Sequence, residues 1–121
     1  MPKVVIADDE PNILLSLEFL MKKEGYQVFI ARDGLEAFEL IQQEKPDLLL
    51  LDIMMPGLDG YELCRLVKSR DELKHAKVIF LSAKSKTVDK QKGYDAGADL
   101  YLPKPFSTRE LVAKANELTA A

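Results

Sequence analysis

The stretch Pro46-Asp47-Leu48-Leu49-Leu50-Leu51-Asp52-Ile53-Met54-Met55-Pro56 decides the fold. Leucine favours helix by propensity, but a four-residue run held between Pro46-Asp47 and Asp52 is too short for one. A short, unbroken apolar run bounded by turn formers fits a strand buried on both faces. Such strands belong to sheets covered by helices above and below, so helical periodicity should flank the run on both sides.

It does. Val4 to Ala7 is a second continuous, β-branched run. Pro11 then suits the first turn of a helix, and Ile13, Leu14, Leu17, Leu20 and Met21 recur at helical spacing before Gly25 stops it. Val28 to Ala31 is another short run. Asp33-Gly34 turns the chain into a helix with Leu35, Phe38 and Ile41 on its stripe, ended by Pro46. Beyond Asp52, the turn formers Pro56-Gly57 and Asp59-Gly60 precede a third helix carrying Leu63, Leu66 and Val67. Val78 to Leu81 is the fourth strand, Lys86 to Ala96 a polar helix of weak periodicity capped by Gly97, and Leu100 to Leu102 the fifth strand. Pro103 and Pro105 break the chain. Ser107 N-caps a last helix with Glu110 as its capping-box partner and Leu111, Val112, Ala115 and Leu118 as its stripe.

The order is βα five times over. Strict alternation implies a parallel sheet with right-handed crossovers and helices on both faces. The 121 residues suit one domain over 1–121 and are too few for an eight-fold barrel, which needs roughly 250. The fold class is therefore α/β: an open, doubly wound, five-stranded parallel sheet of flavodoxin-like type. Hydrophobic residues at 47% supply a core, and 31% charged residues argue against disorder. A formal charge of −3 argues against nucleic-acid or membrane binding. The lone Cys64 permits no internal disulfide, and one His with one Cys excludes an ordinary zinc site. The four-residue apolar stretch near the N-terminus is too short for a signal peptide or a membrane span. The chain reads as soluble and cytoplasmic.

Ligands of open α/β sheets bind at the carboxyl ends of the strands. Asp8 and Asp9 follow strand one, Asp52 and Ser82 end strands three and four, and Lys104 follows strand five. In a 2-1-3-4-5 order, strands one and three lie about 4.8 Å apart, which gathers three carboxylates. At about 5 Å and an effective dielectric near 20, each ionised pair repels by roughly 3 kcal/mol. Either a pKa rises or a cation binds, and a hard ion with oxygen ligands such as Mg²⁺ fits best. A carboxylate nucleophile, a metal, a lysine and a hydroxyl are the parts phosphoryl transfer needs.

These motifs resemble the receiver domain of the bacterial two-component response-regulator family. The residues carrying the resemblance are Asp8-Asp9, Asp52 with Ile53-Met54-Met55-Pro56 and Asp59-Gly60, then Ser82-Ala83, Gly97-Ala98-Asp99, and Tyr101-Leu102-Pro103-Lys104-Pro105-Phe106. The resemblance implies the 2-1-3-4-5 order and a phosphoryl group accepted by Asp52 from a partner phosphohistidine. It implies Mg²⁺ held by Asp9, Asp52 and the Met54 backbone carbonyl, with Asp8 acting through water. Lys104 would pair with a phosphoryl oxygen, and Lys104–Pro105 would be a cis bond. Ser82 would be drawn to the phosphoryl group and Tyr101 would turn inward beside it, moving the face of the fourth helix, fifth strand and fifth helix. The implied partners are a sensor histidine kinase or a histidine phosphotransfer protein, and an output domain or target the sequence does not name. A phosphorylation-dependent homodimer is allowed: Lys90 and Glu110 resemble its pairing charges, although Leu100 stands where many such receivers carry a second aspartate. The resemblance also implies that Met54 and Lys84, two residues beyond Asp52 and Ser82, would influence how water reaches the acyl phosphate.

Each residue also has a plainer reading. Asp-Asp after a strand is often a turn or cap, Tyr101 alone is a half-buried strand aromatic, and Cys64 is a small buried hydrophobe. His75 reads as solvated, and Met54-Met55 as loop packing. Three other functions compete. A phosphatase with a strand-end aspartate nucleophile needs a second Asp where Met54 stands. A flavin carrier needs a hydroxyl- and glycine-rich loop where Asp8-Asp9-Glu10-Pro11 stands, and those acids would repel phosphate. A receiver-like module that binds partners without phosphorylation would usually lack part of the acidic set or the lysine. The chain reads as no enzyme beyond its own phosphorylation and dephosphorylation.

Overall fold

The computed structural model describes residues 1–83 and 87–120, with the side chains of 87 and 88 left aside. The elements run β1 (Lys3–Ala7), α1 (Pro11–Lys23), β2 (Gln27–Ala31), α2 (Gly34–Glu44), β3 (Leu48–Leu51), α3 (Gly60–Lys68), β4 (Lys77–Ser82), α4 (Thr87–Asp95), β5 (Leu100–Pro103) and α5 (Thr108–Thr119). All four strand pairings are parallel, in the order β2-β1-β3-β4-β5.

The leucine run shows why the sheet is covered twice. Successive strand residues point to opposite faces. Leu49 and Leu51 join Val5, Val78 and Phe80 in the core under α2, α3 and α4, while Leu48 and Leu50 join Val4, Ile6 and Ile79 under α1 and α5. All four leucines are buried, so each contributes about 2 kcal/mol or more to holding a helix layer on its side.

Capping fixes where helices begin. Asp33 accepts the Glu36 amide at 2.8 Å to start α2. Asp59 and Glu62 form a full reciprocal capping box at α3. At α5 the Ser107 hydroxyl accepts the Glu110 amide at 3.2 Å. Two expectations need correction. Leu35, placed on the α2 stripe, is 58% exposed, while Ile41 is buried as expected and Ala37 joins it on the buried face. Met54 and Met55 part company, Met55 being buried and Met54 59% exposed. Between α3 and β4, Leu73 is buried in the core, and His75 is exposed as expected. The expected start of the fourth helix at Lys86, and Lys84, lie outside the described residues. No helix among the described residues is long and apolar enough to cross a membrane.

Candidate functional site

Backbone pairing sets the site before any side chain does. The Asp52 amide donates to the Ala7 carbonyl at 2.9 Å, which docks the end of β3 against the end of β1 and so beside Asp8. The Lys104 amide donates to the Ser82 carbonyl at 2.7 Å, which brings the residue after β5 back to the end of β4. The Lys104–Pro105 peptide is cis. All the strand-end residues singled out from sequence therefore sit on one edge of the sheet.

Gly60 is a positioning element that sequence reading took for an ordinary turn residue. Its amide donates to the Ile53 carbonyl at 2.8 Å. A Cβ there would stand 2.6 Å from the Asp52 carbonyl oxygen, too close for any side chain. The start of α3 can thus press directly on the backbone of the strand end. The Asp-Gly pair was visible, but a close approach depends on the fold and leaves no local signal.

The carboxylates of Asp8, Asp9 and Asp52 each offer an oxygen within 4.8 Å of the others. Asp8 and Asp52 are buried and Asp9 is exposed. The Lys104 ammonium lies 3.0 Å from Asp8 Oδ2 and 4.0 Å from Asp52 Oδ1. The Glu10 amide donates to Asp8 Oδ1 at 2.9 Å, and the Ile53 amide to Asp52 Oδ1 at 2.8 Å. Among the described residues one lysine, set against Asp8 and Asp52, meets a cluster of three acids, which is left short of positive charge. The strain falls on Asp52: burial, then the neighbouring Asp8, push its pKa up to about 6. This donor set of hard oxygens, with net negative charge and one exposed member open to solvent, fits a divalent cation such as Mg²⁺. The exposed Met54 lines an open hollow beside it with Asp9, Met55, Pro56 and Asp59.

Ser82 is buried at the end of β4, and Tyr101 lies 4% exposed on the neighbouring strand. Burial raises the Tyr101 phenol pKa, an effect that the nearby Ser82 and Tyr61 hydroxyls oppose. The resemblance has Tyr101 turning inward beside Ser82, and the ring lies inward in this structure. Lys90 and Glu110 sit on α4 and α5.

The family model for the response regulator receiver domain matches residues 4–116. A response-regulator receiver domain from Francisella is 37% identical, with 98% of this chain and 97% of that one covered and a TM-score of 0.91. The BeF3-activated DrrB receiver domain is 30% identical over 100% of this chain and 99% of that one, also at 0.91. The receiver domain of a sensor histidine kinase from Pseudomonas aeruginosa, solved with a magnesium ion coordinated in its active-site cleft, is 26% identical over 99% and 98%, with a TM-score of 0.90. The flavin and phosphatase alternatives lose their footing against a match that spans the sheet, the helices and the acidic edge alike, and this chain belongs to the response regulator receiver domain family of two-component signalling.

Proposed function

We propose that residues 1–121 form one receiver domain that accepts a phosphoryl group from a partner phosphohistidine onto Asp52. The observation that carries this reading is the crowding of three carboxylates against one lysine at the carboxyl edge of the sheet. Such a site is costly unless charge is supplied, and phosphoryl transfer supplies a use for that charge.

The Ile53 amide and Lys104 both face Asp52 Oδ1, which leaves Oδ2 to attack. The Oδ2–P bond forms as the P–N bond to the partner imidazole breaks, and the imidazole leaves with the bonding pair and takes a proton. The product is an acyl phosphate. Lys104 then exchanges its contact with Asp8 for one with a phosphoryl oxygen, and the Ser82 hydroxyl donates to another. Asp9, Asp52 and the Met54 carbonyl would hold Mg²⁺, with Asp8 through water; when bound it offsets the negative charge of the carboxylates and phosphoryl oxygens. The chain turns over no separate substrate.

The output reading follows from Tyr101. Its buried ring sits beside Ser82, and the change is a shift between populations of the α4-β5-α5 face. The proposed partners are a cytoplasmic sensor histidine kinase or histidine phosphotransfer protein, an output domain or target that reads this face, and a second copy of the phosphorylated chain.

Mass spectrometry after incubation with Mg²⁺ and acetyl phosphate tests the acceptor. One phosphoryl group should be gained, and should be lost in Asp52→Asn and in excess chelator. No gain, with Mg²⁺ binding shown separately, would point to a phosphorylation-independent binding module. The phosphoryl group should persist for minutes or longer, because Met54 is exposed beside the site yet cannot orient an attacking water by hydrogen bonding. Decay within a few seconds in purified protein would refute that role.

A further inference from the structure

Helix α4 rests on an aromatic row of three rings. Tyr61 stands edge-on to Phe80 with centroids 5.6 Å apart, and Phe80 edge-on to Tyr101 at 6.2 Å. Two α4 residues one turn apart meet this row. The Tyr61 hydroxyl donates to the Asp89 carbonyl at 3.1 Å, and Gly93 lies directly on the rings. A Cβ at Gly93 would stand 3.0 Å from Tyr101 Cδ2 and 3.2 Å from Phe80 Cδ2. Both distances are tighter than side chains ordinarily tolerate, so a neighbour must yield.

The fold decides which one. Phe80 sits on β4, flanked by β3 and β5, and is fully buried, so it has nowhere to go. Helix α4 is held by the Tyr61 bond one turn earlier on the same face. Tyr101 sits on β5, the edge strand, which among the described residues is flanked by β4 alone. We propose that Gly93 sets the inward position of Tyr101: the missing side chain is the gap the ring edge occupies, and Tyr61 keeps α4 down so that the gap cannot widen. Gly93 and Tyr61 are positioning residues that make the seating of α4 and the position of Tyr101 one variable. The proposal rests on the phosphoacceptor reading only for its link to Asp52.

The test labels all four tyrosines with 3-fluorotyrosine, assigns the Tyr101 fluorine signal by Tyr101→Phe, and reads its shift between H₂O and D₂O. In the wild type Tyr101 should show almost no solvent shift. In Gly93→Leu it should approach the response of Tyr94, which is 45% exposed, and in Gly93→Ala it should lie between. Alanine and leucine both favour helix over glycine, so lost helix propensity cannot produce this result. A Tyr101 signal as shielded in folded Gly93→Leu as in the wild type overturns the proposal. If that variant does not fold, an unchanged signal in Gly93→Ala does so. Binding of beryllofluoride with Mg²⁺ reads the link to Asp52. Linkage is reciprocal, so expelling Tyr101 should weaken this binding roughly tenfold. Wild-type affinity in a variant whose Tyr101 is exposed overturns the link. A wild type that binds no beryllofluoride defeats the phosphoacceptor reading instead, while the fluorine signals still decide the role of Gly93.

Discussion

Lys68 and Lys104 are both partly buried lysines set against an aspartate, with side chains 21% and 16% exposed. Lys68, at the end of α3, donates to the Ala76 carbonyl at 2.7 Å, the Asp99 carboxylate at 3.3 Å and the Lys74 carbonyl at 3.5 Å. Asp99 in turn accepts the Val78 amide at 2.8 Å. Three donors meet three acceptors, and one positive charge meets one negative. That pair ties α3 to the starts of β4 and β5. Lys104, at the opposite edge of the sheet, meets Asp8 and Asp52 in a cluster of three carboxylates, with no second lysine or arginine paired to it among the described residues. A balanced buried pair holds structure; an unbalanced one leaves a demand for a cation, a proton or both. The same two residue types therefore do different work at the two ends of the strands.

The largest expected effect breaks this comparison if it is missing. The folded-state pKa of Asp52, raised from 3.8 to about 6, means that the folded protein holds this proton more tightly than the unfolded chain. Both states are protonated below the lower value. As pH rises between the two, the unfolded chain ionises first and folding is progressively disfavoured; above about 6 the penalty is complete, at about 3 kcal/mol. In chelator, Asp52→Asn should thus match the wild type near pH 4 and exceed its stability by up to that amount at pH 7. Urea unfolding of the two proteins across this range measures the difference. An advantage that stays flat with pH would show that the cluster is not short of positive charge.

Lys68→Met should be the mirror image, destabilising by about 2 kcal/mol through the stranded Asp99 charge and the lost donor to Ala76. Adding Mg²⁺ should not reverse this loss, because the pair is already balanced. Recovery on adding Mg²⁺ would erase the distinction between the two lysines. The smallest effect sharpens it: at ten times its dissociation constant, Mg²⁺ should stabilise the wild type by about 1.4 kcal/mol, raising Tm by a few degrees. Asp52→Asn should lose most of this gain and Lys68→Met should keep it.

The sequence made one end of the sheet more legible than the other. Asp8, Asp9, Asp52, Ser82 and Lys104 each lie at or just past the carboxyl end of a strand, so once the strands were recognised the rule for parallel sheets gathered them. The leucine run was readable as a strand because Pro46 and Asp52 left no room for a helix, against the residue's own preference. Lys68 and Asp99 gave no such signal. They meet across 31 residues through the packing of α3 on β4 and β5, and the Gly97-Ala98-Asp99 motif says nothing of Lys68 as a partner. The demands for glycine at Gly60 and Gly93 were hidden for the same reason, since what crowds their missing side chains lies on other elements. Leu35 misled because a helical stripe gives its period more clearly than its edge, and Leu35 falls beyond the covered face. Met54 and Met55 were indistinguishable in a loop with no period to separate inside from outside.

The strand order has a consequence in the time of synthesis. β1 pairs with β3 as well as with β2, so a nascent chain completes its acidic cluster once Asp52 has emerged. Lys104 lies twice as far along the chain. At ribosomal speeds of about 5–20 residues per second, the three carboxylates wait roughly three to ten seconds for their lysine. A chain that pairs β1 with β3 in that interval must borrow its countercharge from the surrounding solution, as a proton on Asp52 or as a divalent ion. The cluster thus meets its first cation before the protein has made its own.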